Sequence, residues 1–307
     1  MNYLCSLLLL LIMCSLVSLN TQGLRSPDCR KSALNFLRIH KYDIIFLQET
    51  HWTTDLQHAI QREWTGDIYF NNGTANSCGV AILFNPRFNY THTNTSQDSS
   101  GRVLAITIKI DDHYLQLVNL YAPNSDTDRL NFFSSLEPFF LSRYHNVIGG
   151  DFNSIVNPML DKQGGNLTSR QYALRPVHTL TSQFDLVDIW RQRNPNKRGF
   201  TLTRRDPQQN NSFISTRIDC FYISQPITPY ISNTSIIAYP HSDHDLITLS
   251  LDLDRQPRGP GYWHFNNTLL DDAIFGTEIQ EFWTQWRTER TRFPSPLECW
   301  EAAKQHF

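Results

Sequence analysis

Residues 147–153 read Val-Ile-Gly-Gly-Asp-Phe-Asn, an apolar strand that runs into two glycines, an aspartate and an asparagine. The glycines remove side chains and let the backbone turn sharply. Asp151 and Asn153 stand two residues apart, so in extended backbone both side chains lie on one face. A carboxylate that can orient water or a metal, beside a neutral amide donor, suits the hydrolysis of a phosphate diester. The same residue types also form turns, and the segment alone supports either use. Strand ends of this kind carry active sites in α/β folds.

The pattern recurs along the chain. Polar residues close other apolar strands: Asn20, Glu49 within Gln48-Glu49-Thr50, Tyr121, Asp219 within Arg217-Ile218-Asp219, and Ser242-Asp243-His244. Each has a plain structural use taken singly. Asn20 suits a turn cap, Glu49 a helix-start charge, and His244 a core histidine. Their joint appearance at successive strand ends points to one shared site.

Periodicity places strands at 42–48, 80–84, 103–110, 114–121, 145–149, 213–223 and 246–253, and helices at 30–40, 56–64, 126–141 and 174–184. Many strands with helices between only some of them predict an α/β sandwich of sheets with helices outside. Residues 254–261, rich in Pro, Gly and Arg, read as a linker. Beyond it Phe275, Ile279, Phe282 and Trp286 lie at helical spacing, an amphipathic stripe that needs a partner surface.

At 307 residues the chain can hold one large domain or two small ones, and 40% hydrophobic content supplies a core. A net charge of −2 excludes tight nucleic-acid binding through bulk charge, so any such contact must come from a local patch. The densest basic stretch is Arg191, Arg193, Lys197, Arg198, Arg204 and Arg205. The six cysteines have no CxxC spacing, which argues against a zinc knuckle or redox pair. Residues 1–17 are almost wholly apolar, which fits either a signal or anchor, or a first strand with extra apolar residues in front.

Several stretches carry a more specific likeness: Ser18-Leu19-Asn20-Thr21-Gln22-Gly23-Leu24, Leu47-Gln48-Glu49-Thr50-His51, Gly79 to Phe84, Tyr121-Ala122-Pro123-Asn124 and Asp188-Ile189-Trp190-Arg191. Through them the chain, from about residue 18 to 253, resembles the endonuclease/exonuclease/phosphatase superfamily. The details are most similar to the endonuclease domain of LINE-type (non-LTR) retrotransposon polyproteins. Gly261 to Asn267 resembles the connector that leads toward a reverse transcriptase in those polyproteins. No Phe/Tyr-x-Asp-Asp polymerase motif occurs, so the chain looks like an endonuclease portion cut off before its polymerase.

The resemblance implies a DNase I-like, four-layered α/β sandwich: two packed mixed β-sheets flanked by helices. It divides the chain into an apolar segment (1–17), the catalytic domain (18–253), and a linker with helical connector (254–307). It implies a Mg2+-dependent endonuclease, with Mn2+ as a substitute ion. Glu49 would be the principal metal ligand and Asp243 its support. Asp151 would orient or deprotonate the attacking water, with Asn20 and Asn153 positioning that water and the scissile phosphate. His244, kept protonated by Asp219, would donate to a phosphate oxygen, and Tyr121 would stabilise the transition state or leaving group.

Substrate contacts would come from Asn124, Thr201 at the phosphate-binding surface, Arg204 and Arg205 in a groove-probing hairpin, Thr216 and Ser242. The family commonly has serine where Thr216 stands. The partners implied are double-stranded DNA and the reverse-transcriptase portion of a longer polyprotein, with no obligate protein partner. The location implied is nuclear or cytoplasmic, against a membrane-anchored or secreted alternative if the N-terminus is an anchor or signal. Other readings of the same family are a catalytically inactive retroelement remnant and a phosphoinositide or other phosphodiester hydrolase.

Overall fold

Ile44-Ile45-Phe46-Leu47 and Val80 to Phe84 are apolar without alternation because both faces of their sheet are covered. In a computed structural model of the chain, residues 13–165, 174–206, 212–253 and 273–304 are described. The chain divides into two compact units, Met1–Pro257 and Arg258–Phe307.

The strands of the first unit run in chain order as β1 (Met13–Asn20), β2 (Ile44–Gln48), β3 (Ile68–Asn71), β4 (Val80–Phe84) and β5 (Thr91–Gln97). There follow β6 (Val103–Ile110), β7 (His113–Tyr121), β8 (His145–Asp151), β9 (Lys162–Gln163) and β10 (Leu186–Asp188). The last are β11 (Leu202–Arg205), β12 (Phe213–Thr216), β13 (Asp219–Ser224), β14 (Ile231–Ile237) and β15 (Leu246–Asp252). One six-stranded sheet has the order β14-β15-β1-β2-β4-β3, a second β10-β13-β8-β7-β6-β5, and a small third sheet β11-β12-β9. Both large sheets are mixed: β1 is parallel to β2 but antiparallel to β15, and β7 is parallel to β8 while β13 runs antiparallel to it.

Side-chain alternation sorts the apolar residues into three buried layers. Leu16, Ile44, Phe46 and Ile82 of the first sheet meet Leu117, Val147, Phe221 and Ile223 of the second. On the outer side of the first sheet, Val17, Ile45 and Leu47 pack with Leu34 and Leu37 of helix α1 (Pro27–His40) and Ile60 of α2 (Gln57–Glu63). Outside the second sheet, Val118, Leu120 and Ile148 pack with Phe132 and Phe133 of α3 (Asp126–Ser134), and Val177 and Leu180 further along join them. The first unit is the expected four-layered, DNase I-like α/β sandwich.

The two glycines of the opening motif serve this packing. A Cβ on Gly149 would stand 2.5 Å from Phe221 and 2.7 Å from Phe46, the aromatic pair between the sheets. Gly150 has φ +145, and a Cβ there would meet the Leu120 carbonyl at 2.0 Å. Any side chain at either position would force the strands apart.

Several elements differ from the sequence expectation. The helix at 126–141 stops at Ser134, with a 3-10 turn at Glu137–Phe139 whose second residue is Pro138, which cannot continue the α-helical hydrogen bonding. The run at 213–223 is two strands, since Phe213–Thr216 joins the small sheet and Asp219–Ser224 the second large one. Strands β3, β5 and β14 escape the periodicity because they are edge strands, half-exposed or polar. Residues 13–17 of the apolar N-terminal run lie within β1, all paired with β15 and residues 16 and 17 also with β2; residues 1–12 lie outside the described set. Among the described residues, no helix is long and apolar enough to cross a membrane.

The first unit also holds the helices α4 (Pro158–Asp161), α5 (Leu174–Gln183) and α6 (Ile189–Arg193), and the second unit holds α7 (Ala273–Glu289) and α8 (Pro296–Lys304). The expected stripe lies on α7, where Phe282 and Trp286 stack together and Trp286 stacks on Phe293.

Candidate active site

Strand register brings the polar ends together. Tyr121, Asp151 and Asp219 are direct neighbours across β7, β8 and β13. In the facing sheet Asn20 pairs with Gln48, one residue before Glu49. The two rows meet through one amide. Asn20 Nδ2 donates to Glu49 Oε1 at 2.8 Å and to Asp151 Oδ2 at 3.0 Å. Its Oδ1 accepts from the backbone of Gln22. Asn20 is fully buried, and both of its amide hydrogens are used on the two carboxylates.

Asp151 is buried, and its Oδ1 accepts the Asn153 backbone N–H at 2.8 Å. Burial raises its pKa, as does the charge of Asp219; His244 and the hydrogen bonds from Asn153 and Asn20 oppose the rise. Asn153 takes the left-handed φ of 47° and donates its side-chain amide to the Ala122 carbonyl at 2.8 Å. That bond ties the end of β8 to the loop after β7.

Across from Asp151, His244 Nδ1 lies 2.9 Å from Asp219 Oδ2. Burial works against an imidazolium there, but the charge and hydrogen bond of Asp219, with Asp151 and Asp243, raise the pKa to about 10. Nδ1 therefore donates to Asp219, and the ring carries its charge at neutral pH. Ser242 Oγ donates to the Asn20 carbonyl at 3.0 Å and accepts from the His244 N–H at 3.1 Å, fixing the loop that presents the ring.

Tyr121 is almost buried, with the Arg102 guanidinium 4.8 Å above its ring. Burial raises its pKa, and the charge and hydrogen bond of Glu49 raise it further, so the phenol stays protonated.

Thr201 is not where the sequence placed it. It is fully buried, and its hydroxyl donates to Asp219 Oδ2 at 2.6 Å while accepting the N–H groups of Ile218 and Asp219 at 3.1 Å. It lies behind Asp219 rather than on a phosphate-binding surface, because its hydroxyl has no capacity left for a ligand. Thr216 is likewise buried, and its carbonyl accepts from the Thr201 N–H at 2.9 Å. Asn124 is exposed, and its carbonyl accepts from buried Arg129 at 2.9 Å.

Arg204 and Arg205 are exposed on β11, paired with Ile214 and Phe213; residues 207–211 of the expected hairpin lie outside the described set. Two members of the basic stretch turn inward instead. Arg191 holds Asp161 and the carbonyls of Asn194 and Lys197, and Arg193 holds those of Ile231 and Ser232. These two stabilise the scaffold.

Some supporting residues escaped the sequence reading. Gln48 Nε2 donates to Asn119 Oδ1 at 2.7 Å, and Asn119 Nδ2 donates to the Leu47 and Ala81 carbonyls at 2.9 and 2.8 Å. This buried bridge joins the sheets beneath the site. Its signal was a lone asparagine inside the apolar run 115–121. Buried Arg217 pairs with Asp161 at 2.7 Å and with Asp188 at 2.7 Å, anchoring the segment before Asp219.

Asp151, Asp219 and His244 offer three ligand atoms within 4.8 Å of one another. Asp219 Oδ2 already accepts from both Thr201 and His244, so a cation bound through that oxygen would compete with two buried donors. Glu49 is better suited to a hard cation. It is only partly buried, which leaves room for the waters such an ion retains. Asp243 Oδ1 is shielded, has no hydrogen-bond partner among the described residues, and lies 3.8 Å from His244 Nε2. The donor set therefore fits an oxygen-liganded divalent ion.

Comparison with known proteins adds four findings. The profile of the Endonuclease/Exonuclease/phosphatase family matches residues 17–297. The Transposon TX1 149 kDa protein of Xenopus laevis is 34% identical over 298 residues, which is 95% of this chain and 22% of that protein. An exodeoxyribonuclease of Bacillus subtilis is 25% identical over 261 residues, covering 78% of this chain and 99% of its own length. Among solved structures, the AP endonuclease LMAP of Leishmania major superposes with a TM-score of 0.66 at 19% identity, over 78% of this chain and 88% of its own.

Proposed function

From the premise that the chain belongs to the Endonuclease/Exonuclease/phosphatase family, we propose that it is a Mg2+-dependent endonuclease that nicks duplex DNA, leaving 3′-hydroxyl and 5′-phosphate ends. The observation that carries the reading is the Asn20 amide shared between Glu49 and Asp151, opposite the His244–Asp219 pair. A carboxylate for water and a cationic donor for phosphate thus face one space from two sheets. The likeness to a transposon protein supports a place in a mobile-element polyprotein, where the nick would open target DNA. The chain spans about a fifth of that relative's length, so a reverse-transcriptase partner belongs to the proposal.

Glu49, with Asp243 in support, would hold a divalent cation, which would supply positive charge against the phosphodiester. Asp151 accepts the proton of the attacking water, and its orientation is fixed by Asn20 and the Asn153 backbone. His244 donates through Nε2 to a non-bridging phosphate oxygen while Asp219 holds Nδ1. Tyr121, protonated, offers its hydroxyl to the charge that develops at the phosphate. Arg204 and Arg205 contact the DNA backbone and contribute affinity with little sequence information.

Supercoiled plasmid incubated with the protein and Mg2+ is expected to yield open circles, and chelation should stop the reaction. Asp151→Ala and His244→Ala should each slow nicking by about 10²–10⁴-fold. No open-circular product from the unaltered protein, or nicking by either variant at the unaltered protein's rate, would overturn the proposal.

A further inference from the structure

The segment Glu49-Thr50-His51 is held in an unusual backbone. Glu49 has φ 49° and His51 φ 54°, two left-handed residues without glycine, each a costly conformation of about 1–2 kcal/mol. The surrounding chain enforces it. Gly23 and Leu24 donate to the carbonyls of Glu49 and Thr50 at 2.8 and 2.9 Å, while the N–H groups of Thr50 and His51 donate to Gly79 and Cys78 at 3.0 Å. A Cβ on Gly23 would lie 2.8 Å from His51 Nδ1, so the imidazole occupies the space that this glycine leaves open. The other ring nitrogen, Nε2, lies 3.6 Å from Glu49 Oε2, shielded from solvent and without a hydrogen-bond partner among the described residues. Asn20 fixes the other carboxylate oxygen, Oε1.

We propose that His51 is a positioning residue for Glu49. Its Nε2–H closes the 3.6 Å gap to a hydrogen bond on Oε2 when the carboxylate takes a divalent cation, so that Asn20 and His51 together fix the plane of the carboxylate. Three features of the chain converge on this role. The strained backbone aims both side chains at one point, Gly23 makes room for the ring, and a buried donor without a partner is costly until one is supplied. Hydrogen bonds of this kind to a ligating carboxylate orient it, and removing them weakens metal binding. The inference rests on Glu49 as the cation ligand.

The test is calorimetric titration of the full chain with Mg2+ and with Mn2+, alongside the Mg2+ dependence of plasmid nicking. His51→Asn suits a left-handed backbone but is too short to reach Oε2, whereas His51→Gln restores an amide donor with the needed reach. His51→Asn is expected to weaken cation affinity by about 10–100-fold. Its nicking rate at saturating Mg2+ should be largely retained, and His51→Gln should recover most of the affinity. Thermal unfolding without metal reports any purely structural effect. Wild-type affinity in His51→Asn, or an equal loss in the Asn and Gln variants, overturns the role of His51 while leaving the metal reading intact. Absence of cation binding by the unaltered protein overturns both.

Discussion

At the scale of single residues, the site is a set of side chains committed to one another before any substrate arrives. Thr201 shows why this matters. Its hydroxyl gives one hydrogen bond to Asp219 and takes two from the backbone, so in the proposed reaction it would act only through Asp219 and His244. Thr201→Val keeps the shape and removes the hydroxyl. It is expected to cost about 1–3 kcal/mol of stability by stranding two buried N–H groups, and to lower kcat with KM for DNA nearly unchanged. A rise in KM at constant kcat, measured by steady-state nicking, would return Thr201 to the substrate surface. The residues gathered here were legible in the sequence because each stands at or beside one end of an apolar strand: Asn20, Glu49, Tyr121 and Asp151 at the close of theirs, Asp219 and His244 at or before the start. Thr201 was legible as a member but not in its role, since spacing cannot show which way a hydroxyl points.

At the scale of elements, the two helices on the first sheet are fastened to each other by charge as well as to the sheet by apolar packing. Arg30 of α1 forms a two-pronged pair with Glu63, the last residue of α2, at 2.7 and 2.9 Å, and also holds the carbonyls of Leu24 and Arg25. The Arg30 hydrogen bond and charge draw the Glu63 pKa below its ordinary value. A lowered carboxyl pKa adds stability that is fully present above the unfolded value and is lost as pH falls through the folded one. Glu63→Gln should therefore cost about 1 kcal/mol at neutral pH, with the difference from wild type shrinking toward zero below about pH 4. Urea denaturation at a series of pH values measures this; a difference independent of pH would refute the ionic contribution. Nothing in the spacing of residues 30 and 63 announces the pair, which exists only because two helices lie on one face of a sheet.

For the molecule as a whole, the decisive event is the meeting of two sheets. Phe46 and Phe221 face each other with ring centroids 5.9 Å apart, and Gly149 between them leaves the space that this approach needs. The Gln48–Asn119 bridge spans the same interface with polar groups. Asn119→Leu would remove the side-chain donor from the Leu47 and Ala81 carbonyls and strand one N–H of the Gln48 amide, whose other bond runs to Ser18 Oγ. A loss of about 2–4 kcal/mol in chemical denaturation is expected, together with weaker nicking, because Gln48 precedes Glu49. Unchanged stability would show that the bridge does not fasten the sheets.

The sequence by itself determined the strands of the core, the family likeness, and the residues gathered at the strand ends, because apolar runs and the polar groups that close them are local patterns. The apolar runs also implied buried sheets. Tertiary structure decided what each polar group does. It spent Asn20 on two carboxylates, Thr201 on Asp219, and Arg191 and Arg193 on the scaffold, and it set His51 beside Glu49. The physical reason is that a buried donor or acceptor must find a partner, and the partner is chosen by strand register and sheet packing, which join residues more than a hundred positions apart.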